Sequence, residues 1–185
     1  MNILMGITGG IAAYKTAALV SHLVQADFGV SVIMTESATK LICPKTFEAL
    51  SGRTVRTDVF DSDYAHTHIQ LGEEADIFCV APCSANFLAK AACGIANDLL
   101  STVYLSFVGP VLLAPAMNTN MWEKAAVQRN YRQLMKDGVH MIGPESGRLS
   151  CGNTGTGRMT EPEQIFKRIV QIVESTKKSE TEENS

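Results

Sequence analysis

Hydrophobic positions along the chain fall into short unbroken runs, separated by longer stretches in which apolar residues recur every third or fourth place. NILMGI (2–7), VSVIM (30–34), DIFCVAP (76–82) and PVLLAP (110–115) are runs of the first kind. A strand exposed on one face alternates apolar and polar side chains, so a run that is apolar almost throughout fits a strand covered on both faces. Helical period fills the intervals: IAAYKTAALVSHLVQA follows the first run, and SANFLAKAACGIANDLLSTVYLSF, one helix or two, follows the third. MWEKAAVQRNYRQLMKDG follows the fourth, with Gly138 as its cap, and VHMIGP reads as a further short strand. EPEQIFKRIVQIVEST (161–176) opens with proline in the first turn and places Ile165, Ile169, Val170 and Val173 on one face. TESAT, after the second run, reads as a polar turn, and the stretch around Pro44 and Gly52 has no clear period.

Strands alternating with helices predict a doubly wound, Rossmann-like α/β fold: a parallel sheet with helices on both faces. No internal repeat interrupts this order, and residues 1–175 form one domain, followed by a polar tail (176–185) expected to be disordered. Ligands of such folds lie beyond the carboxyl ends of the strands. Here those ends read ITGG, MTES, APCSAN and APAMN, four polar turns that converge on one edge of the sheet.

Composition narrows the function without choosing it. With 185 residues, 45% hydrophobic, 19% charged and a net charge of −3, the chain has the make-up of a soluble globular protein. It lacks the basic excess of a nucleic-acid binder, and its apolar runs fall short of the ~20 residues that span a bilayer. MNILMGITGG has no positively charged leader region and reads as a first strand rather than a signal peptide. Five cysteines, Cys43, Cys79, Cys83, Cys93 and Cys151, suit reduced thiols and a cytoplasmic location. Cys79 and Cys83 have no second pair or histidine cluster to complete a zinc site, so no metal is expected.

Four segments carry candidate chemistry. GITGGIAAYK (6–15) turns a strand into a helix through glycines, which suits either a phosphate at the helix N-terminus or a tight turn needing no ligand. Hydroxyls of Thr35, Ser37 and Ser84 at the neighbouring turns serve a phosphorylated cofactor, helix capping, or both. AHTHIQL (65–71) carries His66 and His68 just before the helix or strand that precedes DIFCVAP. In an extended segment the two would share a side and could meet a metal that still wants a third ligand; they otherwise read as a surface pair or as a group that exchanges a proton near neutral pH. In PAMNTNMW, Asn118 either caps a helix or aims its amide at a ligand, while Met117, Met121 and Trp122 read as packing residues. RLSCGNTGTGRM (148–159) is fit for a bland hairpin or for a flap over a site, and its composition favours neither.

Taken together, these segments resemble the flavin-containing cysteine decarboxylase family, and within it the phosphopantothenoylcysteine decarboxylase branch. The family's PxMNxxMW motif is present as Pro115, Met117, Asn118, Met121 and Trp122, and its histidine motif as His68 in HIQL. The branch's late motif matches Arg148, Leu149, Cys151, Gly152, Gly155, Gly157, Met159, Glu161 and Pro162. The resemblance covers about residues 1–175; Glu36 and Phe87 stand at its variable places.

It implies an FMN enzyme that decarboxylates 4′-phospho-N-pantothenoylcysteine to 4′-phosphopantetheine in coenzyme A synthesis. A cysteine carboxylate cannot lose CO₂ directly, because the carbanion has no electron sink; oxidation of the thiol to a thioaldehyde creates one. The enethiol left behind must then be reduced. On this likeness His68 and Cys151 are catalytic, and Met117, Asn118, Arg148 and Ser150 bind substrate. FMN is held by Gly9, Gly10, Ile11, Thr35, Glu36, Ser37, Ser84, Ala85, Asn86, Phe87 and Ala116. A homotrimer or homododecamer is implied, with FMN at a subunit interface and His68 and Asn118 drawn from neighbouring chains. No ligase domain follows the motifs, so a separate phosphopantothenate–cysteine ligase is expected as pathway partner.

Three other readings compete. A peptidyl-cysteine decarboxylase shares the first two motifs but usually lacks the late one. A non-catalytic regulatory subunit that binds a protein phosphatase tends to have lost a catalytic residue, and His68, Asn118 and Cys151 are all here. A nicotinamide-binding protein would want an acid ending the second strand, where Glu36 is one residue off. An ordinary thiol, with pKa near 8.5, would hold its proton at Cys151, whereas Arg148 and Arg158 would favour thiolate unless they bind the substrate's phosphate or carboxylate.

Overall fold

The computed structural model describes residues 1–59, 67–150 and 152–183, with 67–68 and 177–183 described by backbone alone. In chain order the elements are β1 (Asn2–Ile7), α1 (Ala13–Gln25), β2 (Gly29–Met34), α2 (Glu36–Thr39), α3 (Pro44–Ser51), α4 (Thr67–Glu73), β3 (Ile77–Cys83) and α5 (Ala85–Cys93). There follow α6 (Leu99–Ser106), β4 (Val111–Pro115), α7 (Thr119–Trp122), α8 (Ala125–Lys136), β5 (His140–Met141), β6 (Glu145–Arg148), β7 (Thr154–Arg158) and α9 (Pro162–Glu183).

β1 to β5 form one sheet in the order β2-β1-β3-β4-β5, every neighbouring pair parallel. The apolar runs lie inside it, and β3 and β4 are buried along their whole length. Alternate residues of β1 serve opposite faces. Ile3, Met5 and Ile7 pack with Leu19 and Leu23 of α1, Phe47 of α3 and Ile165 and Ile169 of α9. Leu4 joins Phe78 and Val80 of β3, Leu88 of α5, Leu100 and Val103 of α6 and Leu134 of α8 on the other side. Each such side chain withdrawn from water contributes about 1.5–3 kcal/mol. Burial within β3 also pushes the Cys79 thiol up to about 12 and raises that of Cys83, so both are inert members of the core.

Local differences from the sequence reading have local causes. The long stretch after β3 is two helices: Gly94 ends α5 at φ 68°, and Asp98 starts α6 with a capping box shared with Ser101. α3 occupies the stretch that lacks clear period; Pro44 opens it, Gly52 closes it at φ 69°, and only Phe47 on it is buried. TESAT forms the single turn of α2 beneath Thr35. On α9, Ile172 rather than Val170 completes the buried face. The backbone of α9 also runs to Glu183, through the polar stretch expected to be disordered; no glycine or proline lies in 163–183 to stop it. No helix among the described residues is long and apolar enough to cross a membrane.

The strand order places the site. The chain leaves β2 at one edge, crosses back over β1 and continues as β3, so connections depart in opposite directions from the carboxyl ends of β1 and β3. Such a switch point opens a crevice between the two turns.

Candidate active site

Thr8 fastens these two turns together. Its buried hydroxyl donates to the Pro82 carbonyl at 2.6 Å and accepts from the Ser84 N–H at 2.9 Å. In the first turn of α1, Thr16 Oγ1 donates to the Ala81 carbonyl at 2.7 Å. Hydrogen bonds made by buried hydroxyls hold strongly, since breaking them would strand polar atoms away from water. Between these ties Gly9 and Gly10 leave a cradle of bare backbone. A Cβ on Gly9 would overlap Ser37 of α2, and one on Gly10 would come to 3.3 Å from Pro82 Cγ. Beyond them, the N–H groups of Ile11 and Ala12 at the start of α1 meet no acceptor among the described residues, which suits an anion.

Two cavities meet in the crevice. One, of about 550 Å³, lies against Gly10, Ile11, Ala116, Met117, Asn118, Arg148 and Ser150. The other, of about 450 Å³, lies against Thr35, Glu36, Ser37, Asn86 and Phe87. Gly9, Ser84, Ala85 and Met121 wall both, so the two form one continuous depression. Every residue expected to hold cofactor or substrate therefore lines one or both of these adjoining cavities. A bare-backbone cradle, free helix N–H groups and a mixed polar and apolar wall are a donor set that fits a flavin mononucleotide.

Helix capping accounts for several hydroxyls as well. Thr35 Oγ1 accepts from Ala38 N–H at 3.3 Å, and Ser84 Oγ accepts from Phe87 N–H at 3.4 Å. At the rim, Lys90 and Asp98 pair at 2.5 Å. Burial raises the Asp98 carboxyl, but hydrogen bonds from Lys90 and Ser101 and the Lys90 charge outweigh it, leaving the pKa below the ordinary value. Lys40, bonded to the exposed Glu36 carboxylate, lowers that group too.

The opposite wall comes from the β4 turn and the β6–β7 hairpin. Asn118 caps α7, its Oδ1 accepting from Asn120 N–H at 2.8 Å. The hairpin lies directly on this turn. Met117 N–H donates to the Gly157 carbonyl at 2.9 Å; Gly157 has φ 150°, and a Cβ there would overlap the Met117 carbonyl. A Cβ on Gly155 would come to 2.5 Å from Thr119 Oγ1. β6 and β7 pair as an antiparallel hairpin, and Arg148, Leu149, Ser150, Gly157 and Arg158 make it one wall of the site.

His68 lies in the first turn of α4, so the extended geometry that would align it with His66 does not hold there; its side chain and all of His66 lie outside the described residues. Cys151 also lies outside them, between β6 and β7. Trp122 packs on Tyr131 of α8, ring centres 5.1 Å apart, as a packing residue should, whereas Met117 and Met121 line the cavity. Sequence reasoning passed over Thr8, Tyr14 and Lys15. Thr8 is a hydroxyl immediately before paired glycines, which signals a turn needing a tie, but Tyr14 and Lys15 reach the wall only through the helical spacing after Ile11.

Residues 1–174 match the Flavoprotein family. The chain is 48% identical over 168 residues to the coenzyme A biosynthesis bifunctional protein CoaBC of Bacillus subtilis and 45% identical over 170 residues to that of Haemophilus influenzae. These alignments take in 90% and 91% of the chain but only 41% and 42% of the relatives, so the chain spans about two fifths of their length. Among solved structures it resembles a PPC decarboxylase mutant complexed with pantothenoylaminoethenethiol, with TM-score 0.82 and 28% identity over 94% of this chain and 98% of that one. It also resembles the FMN-dependent cysteine decarboxylase SpaF, with TM-score 0.83 and 31% identity over 95% and 96%.

Proposed function

The chain belongs to the Flavoprotein family, and from that premise we propose that it is an FMN-dependent decarboxylase converting 4′-phospho-N-pantothenoylcysteine to 4′-phosphopantetheine, a step of coenzyme A synthesis. The observation that carries this reading is the seating of the hairpin on the Asn118 turn, opposite the glycine cradle. It gathers a flavin-sized crevice, an amide and an arginine around one space. The solved relative that holds pantothenoylaminoethenethiol supports the substrate class.

The bound flavin would supply a two-electron acceptor that returns its electrons after CO₂ has left. FMN would rest on Gly9, Gly10, Ile11 and Ala116, with Thr35, Glu36, Ser37, Ser84, Ala85, Asn86 and Phe87 around its other end. Asn118, fixed by its cap, would hold the substrate carboxylate, with Met117 and Ser150 against the pantothenoyl chain. His68 would take the proton of the substrate thiol, and Cys151 would donate a proton when the enethiol is reduced. The hairpin would keep water from the reacting atoms.

The same reading places the protein in the cytoplasm as a homotrimer or homododecamer. Cys43 and Cys93 are exposed free thiols, which a reducing compartment preserves. At the cavity mouth Ile11 and Tyr14 are 61% and 64% exposed, an apolar rim that a second copy of the chain would cover. A phosphopantothenate–cysteine ligase must act first, since the amide-linked cysteine has to exist before it is decarboxylated. The test is to extract the cofactor from purified protein and measure CO₂ release from phosphopantothenoylcysteine and from a peptide ending in cysteine. FMN and release from the first substrate support the proposal; release from the peptide alone assigns a peptidyl-cysteine decarboxylase instead.

A further inference from the structure

Three cations face the larger cavity, and they are not equivalent. Glu161, just ahead of α9, accepts from Lys15 Nζ at 2.8 Å and from Arg158 Nη2 at 2.9 Å with the same oxygen, Oε1. The Arg158 Nη2 also approaches Glu145 Oε2 at 3.4 Å. Two positive and two negative side chains therefore balance along the wall where α1, the hairpin and the start of α9 meet. Lys15 keeps only 15% of its side chain exposed, so its pairing is screened less than a surface contact would be. Arg148, on the same cavity, has no acidic partner among the described residues.

We propose that Glu161 is a specificity-determining positioning residue: by engaging Lys15 and Arg158 together, it leaves Arg148 as the wall's one cation available to a substrate anion. The inference rests on the reading that this cavity takes an anionic substrate. Three unneutralised cations would hold any polyanion, including free phosphate, against the place meant for the reacting cysteine. One cation, on the hairpin strand that covers the site, recognises a single anionic group and leaves the rest of the binding to shape. Glu161 also ties the helix behind the cofactor cradle to that hairpin, so charge and position are set by one carboxylate.

The test titrates the FMN-loaded protein with inorganic phosphate, following heat and the flavin absorbance rather than turnover. Glu161→Gln removes one compensating charge and is expected to tighten phosphate binding about fivefold, an effect that shrinks as salt is added. Glu163→Gln, an exposed change of the same charge in the first turn of α9, is expected to leave it unchanged. Arg148→Gln in the otherwise unaltered protein is expected to abolish it, which tests the proposal even if Glu161→Gln fails to fold. Phosphate bound equally well with and without Arg148, or no more tightly by the Glu161→Gln protein than by its Glu163→Gln counterpart, overturns the proposal. Because no step depends on CO₂ release, a protein that binds phosphate in this pattern yet fails to decarboxylate sinks the functional reading alone.

Discussion

The amide N–H of Met117 donates to the carbonyl of Gly157 at 2.9 Å, joining the turn that carries Asn118 to the hairpin that faces it. The contact exists because Gly157 has no side chain: its φ of 150° and the Met117 carbonyl beside its Cα both exclude one. Gly157→Ala is expected to push the hairpin off the turn, lowering stability by about 1–3 kcal/mol. It should raise KM for the substrate while leaving bound flavin in place, because the cradle lies on the other wall. Thermal unfolding and steady-state kinetics on the loaded protein check both halves.

Gly9→Ala probes the opposite wall. Its methyl group would overlap Ser37, so the β1 and β2 turns must separate, at about 1–3 kcal/mol. The expected result is a folded protein that purifies with little flavin, read as the ratio of flavin to protein absorbance. A variant yellow to the same degree as the parent would show that the cradle does not hold the cofactor.

Asn118→Asp separates capping from recognition. Aspartate caps helices as well as asparagine does, so α7 should persist. The added charge would repel a substrate carboxylate, and KM is expected to rise about tenfold or more, with flavin content unchanged. An unaltered KM would leave Asn118 with a capping role only.

Asp98 gives the rim a pH dependence of known sign. Its folded pKa lies below the ordinary value, so its stabilising effect is fully present above the unfolded pKa of about 3.9 and is lost as pH falls through the folded one. Unfolding measured from about pH 5 downward should show a smaller loss of stability for Asp98→Asn than for the parent. Equal losses would mean that the Lys90 pair and the α6 cap contribute nothing through ionisation.

Much of this was legible in the chain. Strands buried on both faces announce themselves as unbroken apolar runs, and Gly9, Ser84 and Asn118 follow such runs at once, so their common edge could be read without coordinates. Short helices were less visible: α3 buries Phe47 alone, too little for a periodic signal, though Pro44 and Gly52 bracket it. The role of Arg158 was hidden for another reason. Its partner Glu145 lies on the other strand of the hairpin, and Glu161 is shared with Lys15 from the far end of the chain; a charge pattern does not show which carboxylate will claim an arginine. The sequence left open whether Arg158 serves the thiol or the substrate; the fold gives it to Glu145 and Glu161.

The most direct test of the account is the mass of the product released by the FMN-loaded parent and by Cys151→Ser, with CO₂ counted alongside. The parent is expected to give one CO₂ for each saturated 4′-phosphopantetheine. The Cys151→Ser protein should still release CO₂, but with a product two hydrogens lighter, because the enethiol is formed and not reduced. A Cys151→Ser protein that makes saturated product at the parent rate, or a parent that releases no CO₂ from this substrate, would contradict it.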